Sequence, residues 1–204
     1  MELVLSTRNP HKLREFTTLL HGHRIVPLPE DVVLPPETAT TFAGNAVEKA
    51  AVAARATGRS AIADDSGIEA RALDGRPGVR SARYAGEHAS DAENLAKLLA
   101  EVPAAGDRHV AYVCALAYAD PSGATEVFDA RCEGTLAHTP RGDGGFGYDP
   151  AFVPADEPGE RTMAELSQAE KDAISHRGRA ARLLLEWLDR RTAPVGSRAG
   201  VNEG

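Results

Sequence analysis

Two aspartates stand side by side in "IADDSG", Asp64 and Asp65, at the end of a short apolar run. At the C-terminal end of a buried strand, a carboxylate can coordinate a hard cation or take a proton from water, and α/β proteins commonly place their sites there. Neighbouring side chains of a strand point to opposite faces, so both acids address one ligand only if the strand ends at them; Gly67 is read as that end. The competing reading is an Asp-Ser-Gly turn without chemistry. Glu37, in "PPETATTF", is a further acid of the kind that magnesium takes while keeping water and phosphate as its other ligands, although by itself it is a surface loop acid.

Three other segments carry chemical groups. In "STRNPHK", Asn9 is placed as a helix N-cap and Pro10 at the first helical position, so Lys12 sits in the first turn, at the unfavourable end of the helix dipole. An anion there removes the conflict, and phosphate can be held by backbone N–H groups, Thr7, Asn9 and Lys12; an ordinary capped helix with Lys12 in water fits the same residues. "GDGGFGYDP" contains GxGxxG, but Pro150 forbids the helix that a dinucleotide fingerprint must open. Its glycines allow close backbone approach, Phe146 and Tyr148 offer faces for a planar base, and Asp149 offers an acceptor; a glycine loop with aromatic anchors in the core is the alternative. In "EKDAISHRG", Lys171 and the pair His176 and Arg177 reach one cleft edge if the helix breaks near Ser175. Arg76, Arg80 and Arg83 lie in a Gly-Pro loop that reads equally as phosphate-facing or as plain surface.

The elements that must position these groups are mixed α and β. "ELVLS" is a strand, followed by the Asn9 helix; "TFAGNAVEKAAVAARA" is an Ala-rich helix with Phe42, Ala46, Ala50 and Ala53 on one face and Gly58 as its C-terminal cap. Ser90 with Glu93, and Ser167 with Glu170, have capping-box spacing. "RHVAYVCALAYAD" and "TEVFDARCEGTLAH", joined by "PSG", predict a long antiparallel hairpin. A last helix carries Ile174, Ala181, Leu185 and Leu188 on one stripe. The fold class is α/β, a single domain over 1–191, followed by an aperiodic segment, 192–204, expected to be disordered.

Among 204 residues, 23 Lys and Arg face 30 Asp and Glu, a net charge of −7. That balance argues against partners recognised through clustered positive charge, so no nucleic acid and no anionic membrane surface is expected. No apolar run approaches a membrane span, the start lacks a signal-peptide layout, and a cytoplasmic location is expected. Cys114 and Cys132 lie in apolar, strand-like surroundings without ligand spacing and are expected to be buried thiols.

Taken in order, "STRNPHK", "ETATTF", "ADDSG" with "GRPGVRSARYAG", "GGFGYDP" and "EKDAISHRG" resemble the motif series of the inosine triphosphate pyrophosphatase family, the XTP/dITP diphosphatases. The resemblance covers the chain from Glu2 to the last helix. It implies an elongated mixed sheet with two α/β lobes and a central nucleotide cleft, a homodimer, and Mg2+-dependent hydrolysis of ITP, dITP or XTP to the monophosphate and pyrophosphate. Position by position, Thr7, Arg8, Asn9, Pro10, His11 and Lys12 resemble the triphosphate loop. Asp65 matches the general base and metal-linked acid, with Ser66 on the substrate beside it and Asp64 supporting the site or joining it as a metal ligand. Phe146, Gly147, Tyr148 and Asp149 match the base-binding loop, Lys171 a substrate contact, and His176 with Arg177 the pair at the purine. The chain departs from the family's pattern at Ala39 and Gly44, where glycine and glutamate are usual, which leaves Glu37 as that segment's metal ligand. It departs again at Arg8, where small residues are common. A Maf-like pyrophosphatase of modified nucleotides and a nucleotide sensor without catalysis are the alternative readings.

Overall fold

The computed structural model describes residues 1–192; residues 193–204, nearly all of the segment expected to be disordered, lie outside the described residues. The chain opens with β1 (Glu2–Leu5) and α1 (Pro10–Leu19), with Asn9 as N-cap and Pro10 in the first turn. β2 (Arg24–Pro27) is followed by a stretch with no helix or strand, and then by α2 (Phe42–Thr57), which runs from the Thr41 cap to Gly58 at φ 64°, the left-handed conformation that glycine adopts without steric cost. β3 (Ala61–Ala70), α3 (Asp91–Glu101), β4 (His109–Ala119), β5 (Thr125–Leu136), β6 (Phe152–Pro154), α4 (Gln168–Ile174) and α5 (His176–Thr192) complete it.

The strands form one mixed sheet in the order β2-β1-β3-β4-β5-β6, with β2, β1 and β3 parallel and the rest antiparallel. The long hairpin is β4 and β5, and both predicted capping boxes form, at Ser90 with Glu93 and at Ser167 with Glu170. One face of the sheet is covered by α1 and α5, which bury Phe16, Leu20, Ala181, Leu184 and Leu188 against Leu3, Leu5, Ile62 and Leu116. The other is covered by α2, whose Ala46, Ala50 and Ala53 lie on Ala61, Ala63, Ala115 and Ala117. Small residues on both surfaces let the helix axis come close to the sheet, so polar side chains flanking that stripe reach the strand ends. A third cluster gathers Ile68, Leu95, Leu98, Tyr112, Tyr148 and Phe152 around α3 and the far ends of β3, β4 and β5. Both cysteines are buried and unpaired, and burial pushes the Cys132 thiol up to about 12.

Two expectations are corrected. β3 does not end at Gly67 but pairs with β4 through Ala70, ten residues in all. Gly67 marks a close approach instead: a 3₁₀ helix, Gly78–Arg83, lies on it, and Ser81 Oγ accepts from the Ile68 N–H at 2.8 Å and donates to the Gly78 carbonyl at 2.6 Å. The terminal stripe is split between two helices. Ser175 is extended, at φ −66° and ψ 158°, so Ile174 ends α4, and the buried row of α5 is Ala180, Ala181, Leu184 and Leu188.

A Cβ at Gly67 would fall 2.6 Å from the Gly78 carbonyl oxygen and against the Ser81 side chain. Gly67→Ala is therefore expected to lower stability by about 1–3 kcal/mol through overpacking, read as a fall in the urea midpoint at unchanged slope. An unchanged midpoint would mean that the 3₁₀ helix shifts without cost.

Candidate active site

Because β3 continues through the aspartates, its two-residue period sends them to opposite faces. Asp64 follows Ile62 towards α1 and α5, and Asp65 follows Ala63 towards α2. Each enters a different set of charges.

On the first face, Asp64 Oδ1 lies 3.0 Å from Lys12 Nζ, and its Oδ2 accepts from Arg177 Nε at 3.2 Å and from Ser66 Oγ at 2.9 Å. Arg177 continues to Ser66 Oγ at 2.7 Å and to Glu15 Oε2 at 3.1 Å. Glu15 Oε1 meets Lys171 Nζ at 2.9 Å, and Lys171 meets Asp149 Oδ2 at 2.8 Å. Asp149 in turn accepts from the Phe146 N–H at 2.9 Å and the Tyr112 hydroxyl at 3.0 Å. The result is a series, Lys12, Asp64, Arg177, Glu15, Lys171, Asp149, in which positive and negative groups alternate and all but the half-buried Lys12 are buried. Burial by itself raises the Asp64 carboxyl, but Lys12, Arg177 and Lys49 outweigh it and hold it well below the usual carboxylate range. Glu15 is likewise held low, with Arg177 and Lys171 overcoming burial. The anion that the Lys12 position calls for is thus supplied by the protein.

On the second face, Asp65 Oδ2 accepts from Asn45 Nδ2 at 3.0 Å, and its Oδ1 lies 3.4 Å from Lys49 Nζ. Lys49 also meets Glu37 Oε1 at 2.7 Å and donates to the Asp64 carbonyl at 2.9 Å, while Arg83 lies 3.5 Å from the other Glu37 oxygen. Burial outweighs Lys49 and Asn45 here, so the Asp65 carboxyl is raised. Two adjacent acids are therefore driven in opposite directions, one kept as a fixed anion and the other made more basic.

Between the two sets opens a cleft of about 330 Å³. Of the residues singled out from the sequence, Thr7, Arg8, Asn9, His11, Lys12, Glu37, Asp65, Ser66, Phe146, Gly147, Tyr148, Asp149, His176 and Arg177 line it; Pro10, exposed at the start of α1, and Lys171, buried between Glu15 and Asp149, do not. The free N–H groups expected at the start of α1 are capped internally: Thr7 Oγ1 accepts from Asn9, and Asn9 Oδ1 accepts from His11 and Lys12. Arg8 directs its guanidinium at main-chain carbonyls. Phe146 has the Lys171 ammonium at 5.2 Å, the Arg177 guanidinium at 5.1 Å and the His11 ring at 4.9 Å, so its faces are already partnered. Tyr148 donates to the Ser81 carbonyl, and Gly147 donates to Asp91. His176 stacks on Tyr112 at 4.6 Å, with Nδ1 buried and without a partner; burial, then Arg177 and Lys171, hold the ring neutral. Arg76 and Arg83 pair with Glu101 and Glu37, and neither they nor Arg80 line the cleft.

Glu15, Asn45 and Lys49 were not singled out. Asn45 and Lys49 are four residues apart beside the Ala46 and Ala50 stripe, a polar insertion in an apolar face that the helical period exposes; Glu15 lies one turn beyond Lys12 and carries no such mark. Positions 39 and 44 are in contact, since a Cβ at Gly44 would lie 2.8 Å from the Ala39 methyl.

Fold and site together define an α/β protein whose cleft is lined by acids, lysines and an aromatic glycine loop. The chain belongs to the Ham1 family, whose model matches residues 3–187. It is 46% identical to the dITP/XTP pyrophosphatase of Syntrophobacter fumaroxidans, with 98% of this chain and 90% of that one aligned. It is 49% identical to the enzyme of the same name from Geobacillus kaustophilus, over 88% of this chain and 90% of that one. The solved Ham1 protein of Staphylococcus aureus superposes with a TM-score of 0.84 at 38% identity, covering 94% of this chain and all of its own, 100%.

Because Glu15 is held ionised by Arg177 and Lys171, its stabilising effect is complete above the carboxyl value of an unfolded chain, about 4.3, and is lost as pH falls through the lower folded value. Glu15→Gln is expected to be less stable at neutral pH and to lose less of its remaining stability on acidification below about pH 4.3. Parallel curves of urea midpoint against pH for the two proteins would show that Glu15 is not held in this way.

Proposed function

We propose that the chain hydrolyses non-canonical purine nucleoside triphosphates (ITP, dITP and XTP) to the nucleoside monophosphate and pyrophosphate, in one catalytic domain spanning 1–191. The observation that carries this reading is one cleft lined by Asp65 with Glu37 and Lys49, by Lys12, and by the Phe146 loop with His176 and Arg177. Membership of a family whose curated relatives are named dITP/XTP pyrophosphatases favours it over a Maf-like enzyme or a sensor.

Asp65 is assigned as the general base. Asn45 fixes one of its oxygens and Lys49 faces the other, so the carboxylate has one orientation, and its raised affinity for a proton suits it to take one from water. As the water oxygen bonds to phosphorus, the anhydride bond to pyrophosphate breaks and the proton goes to Asp65. Asp64, locked between Lys12 and Arg177, does not exchange protons and fixes those two cations. Thr7, Asn9, His11, Lys12 and Ser66 are assigned to the triphosphate end, with Lys12 Nζ the principal charge; Arg8 and Pro10 belong to the same loop. His176 and Arg177, with Phe146, Gly147, Tyr148 and Asp149, are assigned to the base, and Lys171 acts on it through Asp149. Arg177 uses three N–H groups internally and retains capacity on its two terminal nitrogens, which suits a 6-oxo acceptor and leaves adenine's amino group facing a cation.

Glu37 and Asp65 are assigned as the ligands of magnesium. Both carboxylates already converge on one cation, Lys49 Nζ, and among the described residues no three acid, imidazole or thiolate groups gather into a metal cage. Two hard oxygens with the remaining positions left to water and phosphate is the donor set that magnesium prefers. When bound it would supply a Lewis acid that offsets charge on the leaving group. The homodimer implied by the resemblance belongs to the same proposal, and light scattering on the purified chain decides it. Among the described residues no helix is long and apolar enough to cross a membrane.

Incubation with ITP and magnesium is expected to release pyrophosphate, with ATP turned over far more slowly; phosphate release without pyrophosphate would sink the reading. Asp65→Asn is expected to keep the wild-type melting temperature within a few degrees and to lose about 10²–10⁴-fold in kcat. Near-normal turnover in that variant would remove Asp65 from the role of base.

A further inference from the structure

Residues 28–41 contain no helix or strand, yet they bring Leu34 and Glu37 to the cleft wall. A stretch of that length without regular structure needs ties from outside to hold one conformation. It has few of its own, because Pro29, Pro35 and Pro36 donate no N–H and one main-chain bond, Val32 N–H to the Pro29 carbonyl, lies within 28–32. Its later half is tied to α2 by Ala39 N–H on Asn45 and by Glu37 on Lys49. Its earlier half is tied to Arg8. Nη1 donates to the Leu28 carbonyl at 2.9 Å, and Nη2 to those of Pro29 at 2.7 Å, Val32 at 2.7 Å and Glu30 at 3.3 Å. Four carbonyls converge on one guanidinium, in the manner of oxygens around a cation.

We propose that Arg8 is a positioning residue: from the loop after β1 it gathers the carbonyls of residues 28–32, and so sets the segment that presents Glu37 to the cleft. This rests on the role given to Glu37 under the proposed function. The guanidinium is planar and offers N–H groups in a fixed fork, so it serves several carbonyls at once from the side. Charge-assisted bonds to such acceptors are stronger than neutral ones. A lysine carries the same charge on one nitrogen and has no second nitrogen to reach the Leu28 carbonyl while the first serves Pro29, Glu30 and Val32. Arg8 therefore acts on the acid end of the cleft although it stands in the phosphate-facing loop, and its contribution depends on shape more than on charge.

The test compares wild type, Arg8→Ala and Arg8→Lys. Hydrogen–deuterium exchange is measured on peptides covering 28–41 with neither nucleotide nor magnesium present, alongside kcat, KM for ITP and the half-activating magnesium concentration. Both variants are expected to exchange faster in 28–41 with β1 and α2 unchanged, and to need about tenfold more magnesium, as loss of a group that orients a ligand does. KM for ITP at saturating magnesium is expected to stay near that of the wild type, and lysine is expected not to rescue. Unchanged exchange in 28–41, or a lysine variant that behaves as wild type while alanine raises KM alone, would overturn the proposal in favour of a direct phosphate contact. If the wild-type protein releases no pyrophosphate, the proposed function fails, and the exchange comparison still decides whether Arg8 holds the segment.

Discussion

The alternating series of charges from Lys12 to Asp149 is the constraint on which the rest of the site depends. Taking a charge out of water costs several kcal/mol, and that cost is offset only when each ion meets opposite charges and hydrogen bonds in good geometry. Here every interior member touches a neighbour of opposite sign on both sides. The members come from α1, β3, α5, α4 and the turn before β6, so the series is satisfied only when all five are docked. Removing an interior member takes one of its opposite charges from each neighbour at once, so the loss is felt on both sides of the gap. Specificity of docking follows from the same penalty: a displaced α4 would strand Glu15 and Asp149 together. The base loop is drawn into this arrangement through Asp149, which ties the Phe146 N–H and Tyr112 to Lys171.

The opposite fates of the two aspartates follow from strand geometry. Had β3 stopped at Gly67, both carboxylates could have turned to one ligand, and like charges would have raised one of them. Because pairing with β4 continues, the sheet separates them, and the charge sets on its two faces decide their chemistry. Lys49 joins the faces, since its ammonium donates to the Asp64 carbonyl while it neighbours the Asp65 carboxylate. It reaches that point because alanines on α2 and on the sheet let the helix lie close.

Local signals were readable and correct: the Asn9 cap, two capping boxes, the Gly58 terminator and the hairpin all depend on residues within a few positions of one another. The residues of the motif series, far apart in the chain, gather at one cleft, since fourteen of those named from it line the space between the two charge sets. What was not readable depends on distant contact. Gly67 looks like a strand terminator until Ser81 is known to lie on it. Glu15 looks like a surface acid until α4 and α5 bring Lys171 and Arg177 to it, and nothing local tells the Lys12 ammonium that its anion is 52 residues away. At Arg8 the sequence leaves open a phosphate contact or an outward-pointing side chain, and the carbonyls of residues 28–32 that its guanidinium meets carry no local mark. Charge is visible in a sequence, but the acceptor it meets is not.

The same pairing bears on how a polyanion is bound by a chain of net charge −7. Basic residues at the cleft are matched by acids: Lys12 by Asp64, Lys49 by Glu37 and Asp65, Arg177 by Glu15 and Asp64. The α1 N–H groups are satisfied by Thr7 and Asn9, so the helix start adds few free donors. A triphosphate therefore meets no surplus of positive charge, and its approach brings repulsion from Glu37 and Asp65 together with attraction to their lysines. In the proposed function Glu37 and Asp65 would hold a divalent cation, and its charge would turn those two acids from repelling groups into ligands. Affinity for the nucleotide and affinity for the metal would then be linked, each raising the other by the same factor.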